Sequence, residues 1–466
     1  MKKTFFGIGV ILLFLGFSGC GRDDDPNLGG NTNSTKVYDL KLPYINVNTN
    51  GQTIIDEPKR RASMQIVDID DEENEKVVFN GFIGIELRGS SSQALFEKKS
   101  YGVETQDEGG LDLDTMLFDF PTEEDWIFYG PYSDKTLMRN KLIFDLANEL
   151  DAYASQTKYF ELFINNDYKG LYVLMEKIKR DKNRVDISKL NPDENAGEDL
   201  TGGYIIKIDK ASGNGNQSTE YNSSNSFPSS YDVNGNMSAL SRTNYLYDYP
   251  DKDVITDAQK AYIQNYFDAF ERALLSPEFM DPNLGYHQYI NVESFIDYLI
   301  FNEFAHNPDA YRLSTFLFKD KNDKLNIGPI WDFNLAFGNM EFCQGGEYDN
   351  WIMNYNNYCP NDFWLINFWW KRLLSDPQFV LQLNERYEEL RSSTLSLSNI
   401  FSKIDGYADR LKNSGAVDRN FNEYRIMGQK VWPNKFVGQN YEFEVGYLKD
   451  WISNRLEWMD ANISDL

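Results

Sequence analysis

The sequence predicts an α+β fold built as two packed lobes, the first rich in β-strand and the second mainly helical. Three observations carry this expectation. Apolar and polar residues alternate with period two in many segments up to Asp209, as in Phe82–Leu87. From Thr256 onward the apolar residues recur instead at helical spacing. The 466 residues are 41% hydrophobic, enough for a core large enough to divide between two lobes or domains.

The chain opens on a targeting segment. Lys2 and Lys3 precede an apolar run, Phe5–Phe17, too short to span a bilayer comfortably, and Ser18-Gly19-Cys20 ends it in small residues and a cysteine. Residues 1–20 therefore read as a bacterial lipoprotein signal peptide with Cys20 as the lipidation site, although Phe17 stands where leucine is usual. Residues 21–35 read as a flexible tether. Its Gly-Arg-Asp-Asp-Asp start resembles the acidic tag of lipoproteins displayed on the outer membrane of Gram-negative bacteria, and an ordinary solvated tether would look the same. The expected location is the cell surface, with the lipid as the sole membrane contact. A formal net charge of −26 argues against nucleic acid as a partner, because phosphate-backbone binding depends on lysine and arginine. That charge suits a basic protein acceptor or simply solubility.

Residues 36–80 read as a small β extension with a hairpin tip at Asp68–Glu75. A strand at Phe82–Leu87 then leads through the small-residue loop Arg88-Gly89-Ser90-Ser91-Ser92 into a second strand, Lys98–Thr105, which sets Lys99, Tyr101 and Val103 on one face. Such a loop lets backbone N–H groups approach phosphates, and a lysine on the next strand can reach them. Thr136–Leu150 is the clearest helix, with Leu142, Leu146 and Leu150 at i, i+4 and i+8. Arg139 and Asn140 on it are expected to tie it to the Arg88–Ser92 loop or to the hairpin that follows. Lys158–Asn165 and Gly170–Ile178 form a hairpin across the turn 166–169. Asn191–Gly203 and Ser212–Asn236 are polar loops on either side of a strand, Gly203–Asp209, and a further strand follows at Tyr245–Tyr249. Helices are expected at Thr256–Leu275, Asn291–Phe304, Phe363–Leu374, Pro377–Ser392, Ile400–Leu411, Asn420–Val431 and Tyr441–Ile463. Their tryptophans, Trp364, Trp369, Trp370, Trp432, Trp451 and Trp458, are expected in the core.

Between the second and third of these helices, Leu313–Phe318 and Lys324–Ile330 form a hairpin across Asp320–Lys324. Asp309 enters before it and Asp332 leaves after it, so the hairpin brings two distant carboxylates together. That arrangement suits metal-assisted phosphoryl transfer, in which one aspartate orients an acceptor hydroxyl and the other holds the metal on nucleotide phosphates. The plainer alternative is that Asp309 caps a turn and Asp332 a helix.

Six segments in this order resemble the CotH family, the spore-coat protein H group of atypical, protein-kinase-like proteins. They are LRGSSSQ with KKSYGVE (Leu87–Glu104), LMRNKLIFDLANEL (Leu137–Leu150), YKGLYVLMEKI (Tyr168–Ile178), GGYIIKID (Gly202–Asp209), NPDAYRLSTFLF and PIWDFNLAFG. The resemblance implies a two-lobed atypical-kinase fold over residues 81–466, with an N-lobe of about 81–210, an insertion at 211–244 and a helical C-lobe from 245. It implies ATP-dependent phosphorylation of a protein with Mg²⁺ or Mn²⁺, Asp309 as the catalytic aspartate and Asp332 as the metal-binding one. Lys99, chosen over Lys98 for its apolar face, would bind the nucleotide with Arg88, Ser90 and Ser91. Glu176, where a kinase has its interlobe hinge, would hold a lysine near the nucleotide or pair with Lys177 or Lys179.

Two positions depart from the family pattern. Ser314 stands where an asparagine is usual, and Asn334 where a second acid is usual, so the metal set becomes Asp332 with Ser314 or Asn334, weaker donors than carboxylates. These departures keep a pseudokinase or surface binding module open as an alternative. Carboxylates and 15% aromatic residues keep a glycan-processing protein open as a more distant one. Cys343 and Cys359 either form a disulfide, which would stiffen the segment after Asp332, or remain two buried thiols.

Overall fold

A computed structural model describes residues 38–70, 72–150, 152–211 and 221–466. The signal peptide, Cys20 and the tether read from the sequence lie outside the described residues, as do residues 212–220 of the insertion. Leu40–Leu466 form a single unit.

Seven strands close into a barrel: β1 (Tyr44–Asn48), β2 (Arg60–Ile69), β3 (Glu75–Arg88), β4 (Ser100–Gln106), β5 (Asp125–Tyr129), β6 (Thr157–Ile164) and β7 (Asp167–Glu176). Their order is β1-β2-β3-β4-β5-β7-β6, and β1 completes the ring by pairing in parallel with β6. Period-two alternation explains the two-sided burial. On β7, Tyr172 and Leu174 point into the barrel with Trp126, Phe128 and Phe160, while Leu171, Val173 and Met175 face the helices. The extension expected over residues 36–80 is corrected in that β1, β2 and the start of β3 belong to the barrel: β1 and β2 remove the sheet edges that would otherwise stay unpaired. The β6–β7 turn is also shorter than expected. Asn165 and Asn166, both with positive φ (53° and 65°), make a two-residue turn that suits the strand twist.

A second sheet holds β8 (Tyr204–Ile208), β9 (Ser226–Asp232), β10 (Arg242–Tyr249), β11 (Thr315–Lys319) and β12 (Asn326–Ile327) in the order β12-β11-β8-β10-β9. Two expectations are corrected here. β8 belongs to this sheet rather than to the first lobe, because it pairs with β10 and β11. The insertion, read as loop, carries β9, which pairs with β10.

The helices are α1 (Ser91–Leu95), α2 (Arg139–Ala147), α3 (Asp257–Leu275), α4 (Val292–Ala305), α5 (Tyr355–Tyr358), α6 (Trp369–Leu373), α7 (Pro377–Ser392), α8 (Leu397–Asn413), α9 (Ala416–Glu423) and α10 (Tyr441–Asn462). Thr256 and Gln259 form a capping box that starts α3. The helix expected over 363–374 shrinks to α6 because Asp362 and Asn367 accept from the backbone N–H groups of Trp364 and Trp369, which favours turns over helix. The helix expected over 420–431 ends earlier, as α9, where Tyr424 turns extended. Trp369, Trp370 and Trp451 are buried, but Trp432 is 51% exposed, against the expectation of a core position. Cys343 and Cys359 are bonded, with Cα atoms 5.6 Å apart, so the free-thiol alternative is set aside.

Candidate active site

A cleft of about 670 Å³ opens between the barrel and the second sheet, lined by residues from β3, the loop to α1, β8, the turn after α4 and the segment after β12. It holds Asp309 and Asp332 together with Arg88, Ser90, Ser91, Ser314 and Asn334. The backbone explains how they arrive there. α4 is buried from Tyr298 to its end and is capped by His306, whose left-handed conformation (φ 47°) turns the chain sharply. The buried His306 ring bonds to Asn350 at 2.9 Å, and burial pushes its pKa down to about 3, so it serves the turn as a neutral group. Tyr311 and Ser314 are also left-handed, so Asp309 sits on a tight excursion before β11. At the other end Asp332 is itself left-handed (φ 61°).

α2 holds that strained residue in place. Asn140 Oδ1 accepts from the Phe333 N–H at 2.7 Å, and Arg139 donates to the Ala336 carbonyl at 3.1 Å while pairing with Asp134. The bond partners of Arg139 and Asn140 are therefore the backbone beside Asp332, not the loop of serines.

Burial, and then repulsion from Asp309 and Asp209, pushes the Asp332 carboxyl up to about 7, against the pull of Lys210 and Arg88. An acid whose folded pKa exceeds its unfolded one stabilises the fold below the unfolded value. That contribution is lost as pH rises through about 7. Metal-free Asp332→Asn is therefore expected to be more stable than the parent at pH 8, by about 4 kcal/mol, and to show little gain at pH 4. Urea unfolding at the two pH values checks this.

Three further charged residues meet here that the sequence reading passed over. Asp209 follows β8 and is held up by burial, its carboxylate bonded to the Lys210 N–H at 2.8 Å. Lys207 pairs with Asp248 at 3.2 Å. Lys210 Nζ donates to Ser91 Oγ at 3.1 Å and lies over the Trp364 ring, joining the serine loop to the opposite wall. A lysine inside the apolar run of GGYIIKID was the signal available. Arg312, bonded to Asp309, is a fourth such residue.

Two expected nucleotide residues are not brought to the cleft. Lys99 Nζ donates to the Gln93 and Phe96 carbonyls and so closes the turn around α1. Lys98, the discarded candidate, is buried against the Leu171 carbonyl and Asn420. Glu176 is buried inside the fold, accepting from the Gln156 N–H at 3.0 Å. Neither lysine was distinguishable from sequence, because the face of a strand end depends on what packs beside it.

The donor set suits a hard divalent cation. Asp332 supplies a carboxylate, Asn334 Oδ1 is a buried oxygen with no hydrogen-bond partner among the described residues, and Ser314 adds a hydroxyl in the same cleft. Arg88, whose guanidinium faces the Trp331 ring, stands on the wall shared with a second chamber of about 670 Å³, which Ile178, Leu190, Tyr249 and Phe316 also line. A family model described as CotH kinase protein matches residues 85–459, from the end of β3 into α10, and so takes in the second chamber and the cleft residues from Glu86 onward. No curated protein matches the chain.

Proposed function

The chain belongs to the CotH kinase family, and on that premise we propose that it transfers the γ-phosphoryl group of ATP to a serine or threonine of a protein. The observation that carries this reading is the convergence of Asp309, Asp332 and Asn334 with Arg88 and Lys210 in one cleft. The second chamber, lined by Ile178, Leu190 and Phe316, would take the nucleotide base, and Arg88, Lys210 and the serine loop would take its phosphates. Asp332 and Asn334 would hold Mg²⁺ or Mn²⁺, which would neutralise phosphate charge. Asp309 accepts the proton of the acceptor hydroxyl as its oxygen bonds to the γ-phosphorus and the bond from that phosphorus to ADP breaks.

The acidic surface favours a basic acceptor, and the signal and tether favour action at the outer surface of the outer membrane. No helix among the described residues is long and apolar enough to cross a membrane. The reading is tested by titrating ATP into the chain lacking residues 1–35, with and without Mg²⁺ or Mn²⁺. Metal-dependent binding, followed by transfer of label to serine or threonine of a basic protein, is the expected result. Absence of binding with either metal would reject it in favour of a display or recognition module.

A further inference from the structure

Asp209, Asp309 and Asp332 are among the carboxylates that line the cleft, and a divalent cation attracts each of them. A carboxylate drawn onto the cation cannot take a proton from an acceptor, so the two tasks must be kept apart. Arg312 is placed to do this. It is only 4% exposed and each of its nitrogens is engaged: Nε with the Pro308 carbonyl at 2.9 Å, Nη1 with Asp362 at 3.4 Å and the Trp364 carbonyl at 3.3 Å, and Nη2 with Asp309 Oδ1 at 3.2 Å. Its guanidinium lies 4.0 Å from the Tyr355 ring centre, and the Tyr355 hydroxyl donates to the same Asp362 at 2.5 Å.

We infer that Arg312 is a positioning residue that reserves Asp309 for the acceptor hydroxyl by holding it off the cation bound at Asp332. This rests on the reading under Proposed function. The planar fork of arginine fixes direction as well as charge, which a lysine would not. It binds Oδ1 and leaves Oδ2 for the acceptor proton. Tyr355 lies inside the Cys343–Cys359 loop and Asp362 just beyond it, so the disulfide anchors the segment from which the clamp is built.

The test measures Mn²⁺ affinity of the purified chain without nucleotide, beside Arg312→Gln and Arg312→Lys. Loss of the guanidinium frees Asp309 and removes a nearby positive charge, so Arg312→Gln is expected to bind Mn²⁺ about 3- to 10-fold more tightly. Phosphoryl transfer by the same variant is expected to fall about 10- to 100-fold. Arg312→Lys restores the charge, returning Mn²⁺ affinity toward the parent value while transfer stays reduced. A merely structural arginine would weaken both properties, so a folded Arg312→Gln with unchanged or weaker Mn²⁺ affinity overturns the proposal. Should that variant not fold, a crystal structure of the parent chain with Mn²⁺ decides: Asp309 remains on Arg312, whereas Asp309 among the Mn²⁺ ligands overturns it. A parent chain that binds Mn²⁺ but no ATP rejects the kinase reading alone, with the clamp still judged by these affinities. One that binds no Mn²⁺ rejects both.

Discussion

Asp332→Ala is expected to abolish metal-dependent ATP binding and to slow phosphoryl transfer by about 1,000-fold or more, the scale of several kcal/mol that a metal contributes to a phosphoryl transition state. The expectation follows from position. Asp332 shares its cleft with Arg88, Lys210, Asp209 and Asp309, all of which act on its charge, and the backbone beside it is pinned by Asn140 from a different part of the fold. Removing the carboxylate leaves Asn334 and Ser314, neutral donors that hold Mg²⁺ poorly alone. The fold itself should survive, because burial disfavours the ionised group and its loss relieves repulsion with Asp209 and Asp309. Calorimetric titration of ATP with Mn²⁺, beside a thermal melt, separates the two effects. Retained metal-dependent binding would move the cation away from Asp332.

Arg455→Ala is expected to destabilise the fold by about 3–5 kcal/mol, because it strands Glu303 as an uncompensated buried charge. Both side chains are wholly inaccessible and 3.3 Å apart. Around them Arg455 donates to the Glu303, Tyr348 and Asn350 carbonyls, while Glu303 accepts from the Ile352 and Met353 N–H groups and the Tyr311 hydroxyl. This network fastens the disulfide loop to the end of α4, one turn before Asp309, and so couples stability to the site. Urea unfolding followed by tryptophan fluorescence gives the cost. Arg455→Met combined with Glu303→Gln should recover part of it, because burying two neutral groups avoids the stranded charge. A cost under about 1 kcal/mol for Arg455→Ala would mean that water reaches Glu303.

Much of the site was legible because its signals are local. Asp309 follows an apolar helix and a polar break, Asp332 follows an apolar strand, and a hairpin separates them, so the sequence alone brings them near each other. Arg88 and the serines announce themselves as a turn of small residues. Lys99 illustrates the limit. Its strand face is readable, but whether its ammonium meets a phosphate or the Gln93 and Phe96 carbonyls depends on α1, a helical turn in a stretch whose small residues suggest a loop. Asp209 and Lys207 show the reverse: two charges in an ordinary strand gain meaning only because β8 pairs with β11, more than a hundred residues later.

By itself the sequence determined the periodicities: which stretches bury one face or two, where α3 and α7 begin, and the order of motifs that identifies the family. These depend on neighbours within a few residues, where side-chain direction repeats with the backbone. The tertiary structure alone decided that β1 closes the barrel against β6, that β8 leaves the first lobe, and that Arg312 grips Asp309 from a wall built by Asp362 and Tyr355. Such pairings are chosen by packing and charge summed over distant segments, and no short window of the chain contains both partners.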